Sequence, residues 1–173
     1  MNIGSTHNDH HKCVQLPIQL QLSNYEAEVP CSSANIGPGF DVIGLALSIW
    51  LEIRVDVVNS ETSEAPLNCV ITYEGEGADE VPLSADSNLI TRTALDVLRC
   101  HGKRAFPAET RVHIINLIPL GRGLGSSGAA VVAGVVLGNE VGKLGLSKAR
   151  MLDYCLMIGT FPLTVFKSST NCM

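Results

Sequence analysis

Three glycines at alternate positions separate an extended apolar run from a helix-like run of small residues. Gly121, Gly123 and Gly125 follow residues 112–117 and precede the alanine- and glycine-rich residues 129–141. Because glycine has no Cβ, such a stretch can turn tightly and let a ligand approach the backbone. A helix beginning directly afterwards presents unpaired N–H groups and a partial positive charge, which suit a phosphate. The stretch therefore predicts a phosphate-binding loop between a strand and a helix.

Two serines, Ser126 and Ser127, stand at the predicted start of this helix, where hydroxyl side chains are favoured as caps. The loop is not a Walker A loop, because no Gly-Lys-Ser/Thr follows. It also differs from the dinucleotide fingerprint, because the glycine spacing differs and no βαβ unit surrounds it. On spacing alone, a purely structural turn is left open beside a ligand-binding role.

Composition and charge narrow the function classes. The chain has 173 residues, of which 46% are hydrophobic and 17% charged, so we expect one folded domain, or one and a piece. A net charge of -5 and the lack of a lysine or arginine run argue against general binding to nucleic acid or anionic membranes. The longest apolar run, 129–137, is far shorter than the roughly 20 residues that span a bilayer. Since the polar, histidine-rich start is unlike a secretory signal, we predict a cytoplasmic location.

The six cysteines are scattered and form no C-x-x-C pair, so free thiols are the favoured interpretation. They are Cys13, Cys31, Cys69, Cys100, Cys155 and Cys172. A separate cluster near the start could hold a metal ion, although a solvated tail explains it better. It consists of His7, His10, His11 and Cys13.

The hydrophobic periodicity predicts an α+β fold, a mixed sheet with helices packed on one face. The clearest strand is 45–57, where apolar residues from Leu45 to Val57 alternate with polar ones and should form one buried stripe. Further strands are predicted at 24–29, 69–73 and 111–118.

Three helices are predicted, at about 88–101, 127–141 and 148–158. Asp86 or Ser87 should cap the first, and Ser147 the last. Gly134 and Gly138 each cost the middle helix roughly 1 kcal/mol against alanine, so another element must pack closely against them.

The domain boundaries follow from these elements. Residues 1–24 are predicted to be a poorly ordered extension, 25–158 the folded domain and 159–173 a disordered tail outside it. Within the domain, residues 30–41 form a long loop that carries Asn35 and Asp41. Both residues could bind a ligand or simply form turns.

The two loops together resemble the signatures of a known family. Residues 33–41 read Ser-Ala-Asn-x-Gly-Pro-Gly-Phe-Asp, which is similar to the N-terminal signature of the homoserine kinases. Residues 119–127 read Pro-x-Gly-x-Gly-Leu-Gly-Ser-Ser, which resembles the phosphate loop of the GHMP kinases, the larger family that includes them. The resemblance covers about 28–158 and implies the GHMP kinase N-terminal fold (ribosomal protein S5 domain 2-like).

The resemblance implies transfer of the ATP γ-phosphoryl group to the hydroxyl of L-homoserine, a step of threonine biosynthesis, with Mg²⁺ as cofactor. Asn35 would position the substrate hydroxyl and Asp41 would hold the substrate amino group. Ser126 would reach the magnesium ion, and no general base is assigned. The implied ATP-binding residues are Pro119, Leu120, Gly121, Arg122, Gly123, Leu124, Gly125, Ser126, Ser127, Gly128 and Ala129.

The sequence departs from the family after residue 158. The family continues with a glutamate, the expected second magnesium ligand, and a His-Pro-Asp-Asn segment, whereas this chain has Gly159, Thr160 and Phe161. We therefore expect a truncated or misspliced product that lacks the C-terminal domain, self-associates or is poorly soluble, and has little or no turnover. The family resemblance leaves room for a homodimer in the full-length protein.

Two other functions are left open at this point. The chain could belong to a GHMP kinase that acts on another small alcohol. It could also be a non-catalytic module that binds a nucleotide or an amino acid without transferring phosphate.

Overall fold

The computed structural model describes residues 21–34, 44–58 and 64–158. Over these residues the chain forms a four-stranded sheet of order β1-β2-β4-β3 and three α-helices. The strands are β1 Gln21–Ser33, β2 Leu45–Val58, β3 Cys69–Gly75 and β4 Glu109–Asn116. The helices are α1 Leu89–Cys100, α2 Ser126–Gly142 and α3 Lys148–Ile158.

The sheet is mixed, which confirms the predicted fold class. β2 pairs antiparallel with both β1 and β4, whereas β3 pairs parallel with β4. A parallel neighbour needs a long crossover, and the segment that contains α1 supplies it between β3 and β4. The strand β4 therefore lies inside the sheet and leads the chain towards the glycine-rich loop.

One face of the sheet is buried under the helices and the other faces solvent. In β2, Leu51, Ile53, Val55 and Val57 are buried, while Arg54 and Asp56, which alternate with them, are exposed. This alternation confirms the period-two prediction for the second half of the strand. The helices accordingly cover one face, as the sequence predicts.

The predicted buried stripe is wrong at its beginning, where Leu45 and Leu47 are 51% and 36% exposed. The pairing of β1 with β2 shifts between Pro30 and Cys31, so the first part of β2 follows a different register from the rest. The partner of Pro30 is Trp50 and that of Cys31 is Leu47, so two extra residues of β2 form a bulge, which keeps the alternation but bends the strand here. It depends on the partner strand, so periodicity within β2 alone does not reveal it.

The first strand is longer than predicted at both ends. β1 begins at Gln21, inside the predicted extension 1–24, and continues to Ser33, inside the predicted loop 30–41. Residues 21–24 of the predicted extension therefore belong to β1. The predicted tail, 159–173, lies outside the described residues and stays a prediction.

Close packing of α1 on α2 explains the two helix glycines. A Cβ on Gly134 would lie 2.4 Å from the carbonyl oxygen of Ile90, and one on Gly138 would lie 2.9 Å from that of Ala94. Both carbonyls belong to α1. The prediction that another element packs closely against these glycines is confirmed.

The helix caps are partly as predicted. Ser147 caps α3, since its Oγ accepts a hydrogen bond from the Arg150 N–H at 3.3 Å. The predicted cap of α1 is wrong, because Asn88 occupies that position instead of Asp86 or Ser87. The Asn88 Oδ1 accepts from the Ile90 N–H at 3.0 Å and its Nδ2 donates to the Pro82 carbonyl at 3.0 Å. Asparagine satisfies both needs at once, because its amide carries a separate acceptor and donor, whereas an ionised aspartate has no donor.

The cysteines that the structure describes are all free thiols, as predicted; they are Cys31, Cys69, Cys100 and Cys155. Cys13, Cys172 and the histidine cluster at 7–11 lie outside the described residues. Across the described ranges, every helix is too short or too polar to cross a bilayer.

Candidate functional site

The glycine-rich loop has a left-handed backbone at each of its alternate glycines. The φ angles of Gly121, Gly123 and Gly125 are +67°, +71° and +66°. This region is strained for any residue with a Cβ, so glycine is the residue that these three positions require. The predicted tight turn between β4 and α2 is confirmed.

The serines do not cap α2 as predicted. Gly125 is the N-cap, with no side-chain hydrogen bond, and the helix begins at Ser126. The left-handed φ of Gly125 lies outside the extended conformation that a serine cap adopts. Ser126 and Ser127 therefore lie in the first turn, and their side chains are not used to satisfy the helix end.

The N-terminus of α2 is directed at the loop. The Ala129 N–H donates to the Gly125 carbonyl at 2.9 Å, which is the first bond of the helical pattern. The N–H groups of residues 126–128 precede it, and such groups have no partner inside a helix. Ser126 is half-buried and Ser127 exposed. The loop therefore presents backbone donors and the positive helix end to an anion.

The end of β1 is in direct contact with this loop. The Ser32 N–H donates to the Leu124 carbonyl at 3.1 Å. A Cβ on Gly125 would lie 2.6 Å from the Ser32 Oγ and 2.9 Å from the Ser32 carbonyl oxygen. Sequence reasoning missed this contact, because nothing in either segment signals which strand lies beside the loop.

A cavity of about 210 Å³ adjoins the start of α2. Apolar side chains such as Leu51, Ile90 and Leu120 form most of its wall, and Ser126 and Ser127 lie at one side. The beginnings of both α1 and α2 thus border the same space. Sequence reasoning also missed this cavity, which exists only because β2, α1 and the loop meet there.

Polar groups near the cavity are held by the backbone around them. Asn116, at the end of β4, is 1% exposed and accepts from the Ile118 N–H at 3.0 Å. Its Nδ2 donates to the carbonyls of Glu76 and Ile118, both at 3.1 Å. Tyr73 donates to the Glu76 carbonyl at 3.1 Å, and burial raises the pKa of its phenol, so the ring stays neutral. Asn116 could have been noticed as the polar residue that ends an apolar strand.

The structure brings the predicted residues 119–129 together in one loop and helix start. Asn35 and Asp41 lie outside the described residues, so their roles in binding the substrate stay predictions. Over the ranges 21–34, 44–58 and 64–158, no three histidine, cysteine or acidic side chains are grouped for a metal ion. Ser126 thus stays the predicted magnesium ligand from this part of the chain.

Comparison with known proteins matches the chain to one family. The family described as GHMP kinases N terminal domain matches residues 88–163, five residues beyond the predicted boundary at 158. Homoserine kinase of Saccharomyces cerevisiae is 62% identical over 143 residues, which are 80% of this chain and 40% of that protein. Homoserine kinase of Schizosaccharomyces pombe is 51% identical over 147 residues, 85% of this chain and 42% of that protein. The chain spans about two fifths of the length of these relatives.

Solved structures show the same fold. The homoserine kinase of Cytophaga hutchinsonii superposes with a TM-score of 0.62 at 25% identity, over 78% of this chain and 40% of that one. The mevalonate kinase of Methanococcus jannaschii superposes with a TM-score of 0.58 at 16% identity, over 79% and 46%. At 16% identity, the match to the mevalonate kinase supports the fold alone.

The fold and the glycine-rich loop define the class: the chain has the N-terminal domain of the GHMP kinases. Within that family it belongs with the homoserine kinases, whose N-terminal portion its sequence matches.

Proposed function

We propose that this chain provides the nucleotide-binding domain of an enzyme that transfers the ATP γ-phosphoryl group to the hydroxyl of L-homoserine, forming O-phospho-L-homoserine. The observation that carries the proposal is the left-handed glycine loop, which ends at the free N-terminus of α2. The similarity to homoserine kinases at 62% and 51% identity supports the choice of acceptor.

The loop fits the phosphates of a nucleotide. Its exposed glycines, Gly121 and Gly123, leave the backbone open to close approach. The N–H groups of residues 126–128 and the helix dipole would face the negative charge that spreads over the phosphoryl oxygens during transfer. Phosphoryl transfer depends mainly on positioning and charge stabilisation, so backbone donors of this kind supply much of what the reaction needs.

The neighbouring cavity fits the rest of the nucleotide. Its wall is mostly apolar and includes Ser126 and Ser127, where the phosphates would lie. An aromatic base would bury apolar surface against Leu51, Ile90 and Leu120 while its phosphates stay at the helix end. The neutral Tyr73 phenol also lines this space.

A magnesium ion, when bound, would neutralise charge that develops on the nucleotide phosphates during transfer. The Ser126 hydroxyl is the described oxygen donor that we assign to it, since hard cations take oxygen ligands. Asn35 and Asp41 are assigned to the acceptor hydroxyl and amino group on the strength of the family signature. The cytoplasm is the compartment that we propose, with homoserine as the partner molecule.

Calorimetry on the 173-residue chain, with a non-hydrolysable ATP analogue and Mg²⁺, tests the nucleotide site. Ser126→Ala should weaken the binding by about tenfold when Mg²⁺ is present and leave Mg²⁺-free binding unchanged, since it removes one ligand to the ion. Ser147→Ala is the matched control, because it removes a serine hydroxyl from the cap of α3, outside the site. Wild-type protein that binds no analogue at millimolar concentration would refute the proposal.

The acceptor is tested by ADP formation with homoserine, mevalonate or galactose. We expect homoserine alone to support transfer by the enzyme to which this domain contributes. That the 173-residue chain by itself has little or no turnover stays a prediction of the same assay. If that enzyme binds the analogue but transfers phosphate to none of the three, the non-catalytic module is favoured.

A further inference from the structure

The contact between β1 and the glycine-rich loop joins the two segments to which the family signatures assign ligands. Ser32 is 7% exposed and lies three residues before Asn35 in the sequence. Ser32 also contacts the loop. Its N–H donates to the Leu124 carbonyl, and its side chain lies against Gly125. One residue therefore touches the exact point where the loop becomes α2.

We infer that Ser32 is a positioning residue for the phosphate loop: it holds the N-terminus of α2 in the orientation that binds the nucleotide. The inference rests on the proposed function, because the loop must bind phosphate for its orientation to matter. Ser32 acts through Leu124 and Gly125 and is not assigned a contact with any ligand.

Gly125 shows how closely the two segments are fitted. An added Cβ would meet both the Oγ and the carbonyl oxygen of Ser32 at less than 3.0 Å. The Oγ could rotate away, but the carbonyl belongs to the strand backbone and cannot. Any side chain at residue 125 must therefore push the end of β1 and the loop apart. The hydrogen bond from Ser32 to Leu124 lies beside this contact and would lengthen with it.

Three glycines of nearly equal φ allow the effect of this contact to be distinguished from the effect of backbone strain. Gly121, Gly125 and Gly145 have φ of +67°, +66° and +64°. A Cβ at Gly121 or Gly145 would meet nothing within 4 Å, whereas one at Gly125 meets Ser32. Alanine at any of the three suffers the same left-handed strain. Only alanine at 125 also displaces β1.

The experiment measures the affinity of the 173-residue chain for the Mg²⁺–ATP analogue, with thermal unfolding recorded in parallel. Gly125→Ala should weaken binding by about tenfold or more, as expected for the loss of one charge-assisted hydrogen bond. Gly145→Ala, between α2 and α3, should lower the unfolding temperature and leave affinity unchanged.

The double variant Ser32→Gly/Gly125→Ala tests whether Ser32 is the residue through which the Cβ at residue 125 weakens binding. It removes the shorter contact, the one to the Oγ at 2.6 Å, and a glycine at residue 32 lets the backbone shift to relieve the carbonyl contact, so it should recover at least about threefold of the affinity that Gly125→Ala loses. If Gly125→Ala does not fold, Ser32→Thr provides the second test, because it enlarges the same contact from β1 and leaves the φ of Gly125 untouched. It should weaken binding without the loss of a glycine.

Equal losses in Gly125→Ala and Gly145→Ala, or a double variant with no recovery, would overturn the positioning role while wild-type binding stands. Wild-type protein that binds no nucleotide would instead refute the proposed function, and the positioning role with it. A purely structural role for Ser32 predicts that affinity follows the unfolding temperature across all variants. That correlation, with Gly145→Ala included, would also count against the inference.

Discussion

Gly134→Ala has two opposing effects on stability: it improves the helix propensity of α2, and it overpacks the α1–α2 interface. Alanine in place of glycine inside a helix is worth about 1 kcal/mol in favour of folding. The new Cβ would lie 2.4 Å from the Ile90 carbonyl oxygen, 2.6 Å from the Thr93 Cβ and 2.9 Å from the Thr93 Cγ2. The carbonyl is backbone of α1 and cannot move away alone, so the two helices must separate.

Overpacking of this kind costs about 1–3 kcal/mol, and three contacts this short place Gly134→Ala at the upper end. Subtracting the propensity gain leaves a net loss of about 2 kcal/mol in the free energy of unfolding. For a chain of this size, that corresponds to a fall of roughly 4–8 °C in the unfolding temperature.

Gly138→Ala is the matched comparison on the same helix face. Its Cβ would lie at 2.9, 3.1 and 3.2 Å from its nearest neighbours, so a small adjustment relieves most of the contact. The packing cost of about 1 kcal/mol then nearly cancels the propensity gain. Urea unfolding followed by circular dichroism measures both variants. A Gly134→Ala protein as stable as Gly138→Ala, or more stable than wild type, would refute the reasoning.

Three further predictions concern caps and buried groups. Asn88→Ala should lower the free energy of unfolding by about 1 kcal/mol, measured by urea titration, because α1 loses its cap. Asn116→Ala should cost more, about 1–3 kcal/mol in the same titration, since it leaves the buried Ile118 N–H without its acceptor. Burial raises the pKa of the Cys69 thiol from 9.0 to about 12. The unfolded thiol ionises first, so stability should fall as pH rises from about 9 towards 12, and Cys69→Val should weaken that fall.

The elements that the sequence predicts well are those that depend on local pattern. The second half of β2 alternates strictly, and its burial follows. Gly134 and Gly138 weaken a helix, so their presence in one implies a close neighbour, and α1 is that neighbour. The glycines of the loop likewise imply positive φ, which the structure has at Gly121 and Gly125.

The features that the sequence does not predict depend on which segments meet. Leu45 is exposed and lies beyond the point where the pairing with β1 is interrupted, and that interruption is not visible within β2. Ser126 is not a cap because the preceding glycine already takes the cap position. The contact of Ser32 with Gly125 joins residues far apart in sequence. Each outcome is decided by tertiary contacts that local preference does not contain.

Ile90 takes part both in the packing of α1 on α2 and in the wall of the candidate nucleotide site. Its carbonyl lies over Gly134, so the missing Cβ there sets how close α1 comes to α2. Ile90 also lines the cavity beside Ser126 and Ser127. If the helices separated, the apolar wall would move away from the helix end where the phosphates are proposed to bind. Gly134 thus contributes to the site without touching a ligand. The loss of stability in Gly134→Ala should therefore be accompanied by weaker binding of the ATP analogue, whereas Gly138→Ala should retain wild-type affinity.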